Sequence, residues 1–164
     1  MNTVKKMPVL IVFIMSIVAF YAAAESNQAQ HFSIQTLDGS HFNLSDFKGK
    51  KAVHLVFWAT WCPSCRREIP KLKEVQKKYG NDMALLTINI AMDDPLHDVR
   101  HYVKEHNIDY AVAYDRESEV TRLYGVEGTP TQLIIDINGK IRYRGVHVPD
   151  DIDEHLPELL TISE

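Results

Sequence analysis

Cys62 and Cys65 are the only cysteines among the 164 residues, and two residues separate them. A bridge across so short a span would close too small a loop to restrain the unfolded chain much. The pair therefore reads as reactive rather than as a structural staple. A zinc site would need two further ligands, and no other cysteine supplies them. Thiols at this spacing can carry out exchange: one thiolate attacks a substrate disulfide, a mixed disulfide forms, and the second thiol resolves it. The electrons travel on sulfur, so neither a metal nor a cofactor is expected.

The elements around the pair suit that chemistry. Ala52-Val53-His54-Leu55-Val56-Phe57-Trp58 is dense in aliphatic, β-branched and aromatic side chains, the pattern of a strand covered on both faces. A helix is predicted from Pro63 to Tyr79, with Ile69, Leu72, Val75, Gln76 and Tyr79 at helical spacing and Gly80-Asn81 ending it. Pro70 lies inside that helix and should kink it. Cys62 then falls at a helix N-terminus, where unpaired N–H groups and the positive end of the helix dipole favour a thiolate. Cys62 is expected to be the exposed, more acidic thiol. Pro63 fits the first turn, where its missing N–H costs nothing. Cys65, one turn further in, should be the shielded partner.

Stepping along the chain, short strands at His31–Thr36 and His41–Leu44 flank Asp38-Gly39 as a hairpin. Met83–Ala91 is a second apolar strand, so that strand, helix and strand form a βαβ unit with parallel strands. A helix from Asp94-Pro95 to His106, a strand at Tyr110–Ala113 and a helix at Glu117–Tyr124 follow. Thr131–Ile137 and Ile141–Arg144 flank Asn138-Gly139, a strong hairpin signal, and a last helix runs from Asp150-Asp151 to Leu160, with Pro157 inside it. The expected fold is α/β: a mixed central sheet flanked by helices, with an N-terminal β-hairpin extension.

The first 24 residues read as an export segment. Lys5 and Lys6 precede an apolar run from Met7 to Ala24 that closes on Ala22-Ala23-Ala24, a site that a signal peptidase would cut. An uncleaved membrane anchor through residues 7–24 is the other reading, since roughly 18 apolar residues can just span a bilayer. Either places a domain of residues 31–164, after a linker at 25–30, in the periplasm or another extracytoplasmic space. With 45% hydrophobic and 24% charged residues the domain is ordinary for a globular protein, and a net charge of −4 gives no basic field for nucleic acid.

Phe57-Trp58-Ala59-Thr60-Trp61-Cys62-Pro63-Ser64-Cys65 resembles the active-site segment of thioredoxins. Cys65-Arg66-Arg67-Glu68, Leu44-Ser45-Asp46-Phe47-Lys48-Gly49-Lys50 and Gly128-Thr129-Pro130-Thr131 narrow the likeness to the TlpA/ResA-type branch, which includes the cytochrome c maturation reductases of the CcmG/DsbE type. The resemblance covers about residues 31–145. It implies a thioredoxin fold and a redox-active disulfide between Cys62 and Cys65. It further implies a cis-proline loop at Thr129-Pro130, with the backbone of Thr129 pairing with the substrate chain. Thioredoxins of the cytoplasm carry a buried Asp where this chain has Val56. In the TlpA/ResA branch the acid three residues after the second cysteine, here Glu68, serves instead as the proton acceptor for the buried cysteine. Cys65 and Glu68 would share a helix face, and partial burial would raise the Glu68 pKa; a solvent-facing glutamate is the other reading.

Trp61 is a candidate to shield or present the thiols to substrate, whereas Trp58 and His54 read as core. His97 and His101, four apart on a helix with Arg100, Lys104 and Glu105 nearby, read as a solvated face rather than a metal site. Arg66 and Arg67 either favour the thiolate or are a plain surface pair. The activity expected is a thiol–disulfide oxidoreductase acting as a reductase, because strong oxidants of this fold usually carry His at the position of Ser64. Its partners would be exported proteins bearing disulfides, apocytochrome c among them, and a membrane thiol donor, with the enzyme a monomer. A thiol peroxidase and a copper-delivery module are the alternatives.

Overall fold

Seven consecutive buried residues, Ala52–Trp58, form the middle strand of the sheet, and the rest of the molecule is arranged about them. A computed structural model describes residues 27–162; the export segment lies outside the described residues. In chain order the strands are β1 (Ser33–Gln35), β2 (His41–Asn43), β3 (Ala52–Trp58), β4 (Met83–Asn89), β5 (Ala111–Tyr114), β6 (Thr131–Ile135) and β7 (Ile141–Gly145). The helices are α1 (Pro63–Tyr79), α2 (Leu96–Glu105), α3 (Glu119–Leu123) and α4 (Ile152–Leu159), and a 3-10 turn spans Leu44–Phe47.

The main sheet has the order β5-β4-β3-β6-β7. β3, β4 and β5 are parallel, β6 is antiparallel to β3, and β7 is antiparallel to β6. Parallel neighbours require a long crossover, and α1 supplies it between β3 and β4. The core is built on Leu55, Phe57, Leu86, Ile88 and Leu133, all fully enclosed. The β1–β2 hairpin forms its own small sheet and docks on the β5 edge, where the Leu37 N–H donates to the Val112 carbonyl at 2.7 Å. That contact covers part of an otherwise unpaired edge strand.

Element order and type agree with the sequence pattern; the ends differ for local reasons. β4 stops at Asn89 rather than Ala91 because Ala91 adopts a left-handed backbone (φ 58°), with its N–H held by the Asn89 side chain. α3 begins late because Asp115 accepts the N–H groups of Glu119, Val120 and Thr121, while Ser118 sits at φ 51°. β6 ends before Asp136, whose carboxylate accepts the N–H groups of Asn138 and Lys140 and builds the turn around Gly139 at φ 84°. α1 runs through Pro70, which lies on an exposed side. Residues 27–30, expected as linker, run beside the start of β7, with Ala29 buried and the Ile141 N–H donating to the Asn27 carbonyl at 2.7 Å.

Leu133 faces the packed centre with no exposure, and trimming it leaves a cavity. Leu133→Ala is expected to lower the unfolding free energy by about 2–5 kcal/mol, read as a lower urea midpoint at an unchanged m-value.

Candidate active site

Cys62 is the N-cap of α1, extended in backbone (φ −89°, ψ 106°), and its sulfur accepts the Cys65 N–H at 3.1 Å. A helix start leaves its first amides without partners in the helix, and here a sulfur takes one of them. Pro63 follows at the first helical position, where no donor is required. Cys62 and Cys65 are joined in a disulfide, with Cα atoms 5.3 Å apart.

The loop leading into the motif is held by a carboxylate that sequence reasoning missed. Asp94 is buried and accepts the Thr60 N–H at 2.7 Å, the Thr60 hydroxyl at 2.6 Å and the Asn89 amide at 2.6 Å. One acid from the β4–α2 loop thus ties down the residues just before Cys62. Trp61 lies over the same loop, half exposed at 50%, and its indole N–H donates to the Met92 carbonyl at 2.8 Å. Met92 is itself exposed, so both members of this bonded pair leave apolar surface open to solvent. Trp58 points the other way, buried and packed on Tyr102 with ring centroids 5.4 Å apart.

Cys62 is not the exposed member of the pair in the bridged form: it is 2% exposed and Cys65 6%. The bridge folds the Cys62 sulfur back over the first turn, onto the Cys65 amide and within 3.5 Å of the Ser64 hydroxyl. What distinguishes the two cysteines is surroundings. Cys65 lines a cavity of about 20 Å³ together with Val56, Glu68, Thr87 and Pro130, room for about one water molecule. The Thr129–Pro130 bond is cis, and Pro130 is buried against this space. Among the described residues the Thr129 N–H and carbonyl have no hydrogen-bond partner.

Glu68 is 5% exposed and faces inward, not toward solvent. Its Oε2 accepts the Val148 N–H at 2.8 Å and the Gln132 side-chain amide at 3.1 Å; its Oε1 lies 3.3 Å from His147 Nδ1. Gln132 in turn accepts from His54 Nε2 at 2.8 Å. His54 pairs with Ile134 and Val56 with Gln132 across the β3–β6 ladder, so the two-residue period puts all four on one face. The resulting line, His54–Gln132–Glu68–His147, runs from the core to the surface. A histidine and a glutamine within otherwise apolar strands were its signal in the sequence. His54 is the packed, hydrogen-bonded histidine expected there, and burial pushes its pKa down to about 4, against smaller upward effects of Gln132 and Glu68.

Cys62, Cys65, Glu68, Trp61, Thr129 and Pro130 therefore converge on one end of β3, α1 and β6. Arg66 and Arg67 are exposed and form no ion pair among the described residues. His97 and His101 are solvated and lie by Asp98 and Glu105.

A mixed five-stranded sheet with a cysteine pair at the start of the crossover helix and a cis-proline beside it defines the thioredoxin class. The chain belongs to the Redoxin family, whose model matches residues 24–160. It is 33% identical over 134 residues to the thiol-disulfide oxidoreductase ResA of Bacillus thuringiensis subsp. konkukian, covering 80% of this chain and 76% of that protein. The crystal structure of a thiol:disulfide interchange protein of the thioredoxin family from Chlorobium tepidum TLS superimposes with a TM-score of 0.68 at 31% identity, covering 85% of this chain and all of the other. The exposed lipoprotein thioredoxin Etrx1 of Streptococcus pneumoniae gives 0.67 at 32%, covering 79% and 99%. The chain is a thiol–disulfide oxidoreductase of the ResA type.

Burial of His54 has a consequence for stability. The unfolded chain takes up its imidazole proton near 6.5 and the folded chain near 4, so the unfolded state binds more protons between those values. The contribution is complete above about pH 6.5 and is lost as the pH falls through about 4. Between pH 7 and pH 4 the protein is expected to lose on the order of 3 kcal/mol more than a His54→Leu variant, measured by urea unfolding at each pH.

Proposed function

We propose that the chain is an exported reductase of protein disulfides, with Cys62 as the attacking thiol and Cys65 as the resolving one. Cys62 thiolate attacks one sulfur of the substrate bridge, and the other substrate sulfur leaves with the bonding pair. Cys65 must then lose its proton before its sulfur can displace the substrate from Cys62. Glu68 is the one carboxylate among the described residues lining the cavity beside Cys65, and this is the observation that carries the reading. The acid acts there as the proton acceptor for Cys65, in space that Val56 shares. The products are the protein disulfide, two substrate thiols once protonated, and no change in the count of electrons.

The unpartnered backbone of Thr129 supports its pairing with an extended substrate segment, a mode that relies on main-chain hydrogen bonds and tolerates sequence. Trp61, with Met92, gives the partner an apolar edge to rest on. The direction, reduction, rests on Glu68 and on the Pro63-Ser64 dipeptide. Export rests on residues 1–24, cleaved after Ala24 or kept as an anchor, and the exposed lipoprotein relative fits that placement. Electrons come from a membrane thiol carrier, and the apocytochrome c disulfide before haem attachment is one fitting substrate. The working unit is a monomer.

The direction is tested by trapping the thiols in intact cells with acid followed by alkylation. Cys62 and Cys65 are expected to be mostly reduced, and Cys65→Ser should accumulate partner adducts on Cys62. A pair found mostly bridged in growing cells would overturn the reductase assignment.

A further inference from the structure

We infer that His147 is the proton relay between Glu68 and solvent. The inference rests on the reading of Glu68 as the base for Cys65 and adds what that reading lacks, a way out for the proton. Glu68 is almost wholly enclosed, so a proton taken from Cys65 cannot pass from it directly to bulk water. Of its two oxygens, Oε2 is engaged by the Val148 N–H and the Gln132 amide, neither of which can carry a proton onward. Oε1 faces His147 Nδ1 at 3.3 Å, and that imidazole is 63% exposed. Among the described residues it is the exposed side chain bonded to the buried carboxylate.

The other groups near Glu68 lead elsewhere. His54 on β3 lies beyond Gln132, fully enclosed, and burial holds it neutral. Cys65 on α1 is the proton source. Tyr102 and Tyr110 line the cavity, and burial raises the Tyr110 phenol. Tyr143 on β7 has its phenol raised chiefly by burial, with smaller contributions from Glu68, Asp151 and Asp150. Its hydroxyl donates to the His147 carbonyl at 2.7 Å, which fixes the loop that presents the imidazole. Asp150, close by in sequence, pairs with Lys71 of α1 at 3.4 Å. One loop thus supplies Glu68 with a fixed backbone donor at Val148 and a titratable donor or acceptor at His147.

The step balances without any added reactant. The Cys65 S–H gives its proton to the Glu68 carboxylate, the Cys65 sulfur bonds to the Cys62 sulfur, and the substrate sulfur departs with the electron pair. Protonated Glu68 passes the proton to Nδ1 of neutral His147, and the ring releases a proton from Nε2 to water. Glu68 is again a carboxylate, and the exposed ring exchanges its tautomer through solvent.

The test is a single turnover of the reduced protein with a disulfide-bridged peptide, quenched with acid and resolved by mass into mixed disulfide and products. His147→Ala and His147→Gln are expected to form the mixed disulfide at the wild-type rate and to resolve it slower by on the order of tenfold, a part of what a general base contributes. Added imidazole should restore resolution in His147→Ala and leave the wild type unchanged. Glu68→Gln should be slow and unresponsive to imidazole. Wild-type resolution by either His147 variant, or a slow His147→Ala that imidazole does not rescue, would overturn the relay. Wild-type resolution by Glu68→Gln would instead remove the base on which the relay depends, so the two failures are distinct.

Discussion

The first turn of α1 presents amide groups with no carbonyl to bond, and the sulfur of Cys62 accepts one of them from Cys65 at 3.1 Å. That arrangement exists because a strand buried along its whole length ends at Trp58 and the chain turns at once into a helix. A carbonyl or hydroxyl at the same place would merely cap the helix. A sulfur there becomes the site at which the helix's unpaired donors and the positive end of its dipole favour an anion. Asp94 holds the approach to that point through Thr60, and Pro63 opens the helix without needing a donor. The site is thus a property of the junction, and the side chains around it refine what the junction already provides.

The second constraint is polar matter inside an apolar core. Buried polar groups without partners are costly, yet this chain carries His54, Gln132 and Glu68 through the centre of the molecule. Each is bonded to the next, from β3 across β6 to α1 and out to the loop after β7, while His54 Nδ1 is left without a partner among the described residues. A network so placed ties the surroundings of Cys65 to the sheet itself. It also places the acid on a helix rather than on the strand, with Val56 filling the strand position beside the same cavity. The buried carboxylate and the enclosed Cys65 sulfur border one shared space, as the proposed proton transfer from the thiol to Glu68 requires.

Local patterns in the sequence were enough for the architecture. The two-residue and helical periodicities, Asn138-Gly139 and the Cys62–Cys65 spacing located nearly every element and the reactive pair, because each depends on neighbours within a few residues. Element ends were less readable, since Asp115 and Asp136 settle them by side-chain bonds to backbone groups that propensity does not weigh. The network's polar members stand out in apolar strands, but their connections are not readable: His54, Gln132 and His147 are far apart in the chain, and only the β3–β6 register and the packing of α1 bring them together. A helix terminus suggests an open sulfur at Cys62, whereas the bridged sulfur folds onto the first turn. Asp94, next to a proline at a helix start, reads as a helix-opening residue and serves instead as the clamp on Thr60.

In the proposed mechanism the helix start makes Cys62, and not Cys65, the nucleophile. Competitive alkylation of the fully reduced native protein tests it most directly, with iodoacetamide limiting at neutral pH and the labelled position mapped by peptide mass. The label is expected on Cys62, with Cys65 modified only after the protein is denatured. Equal labelling of both cysteines, or labelling of Cys65 first, would contradict the account.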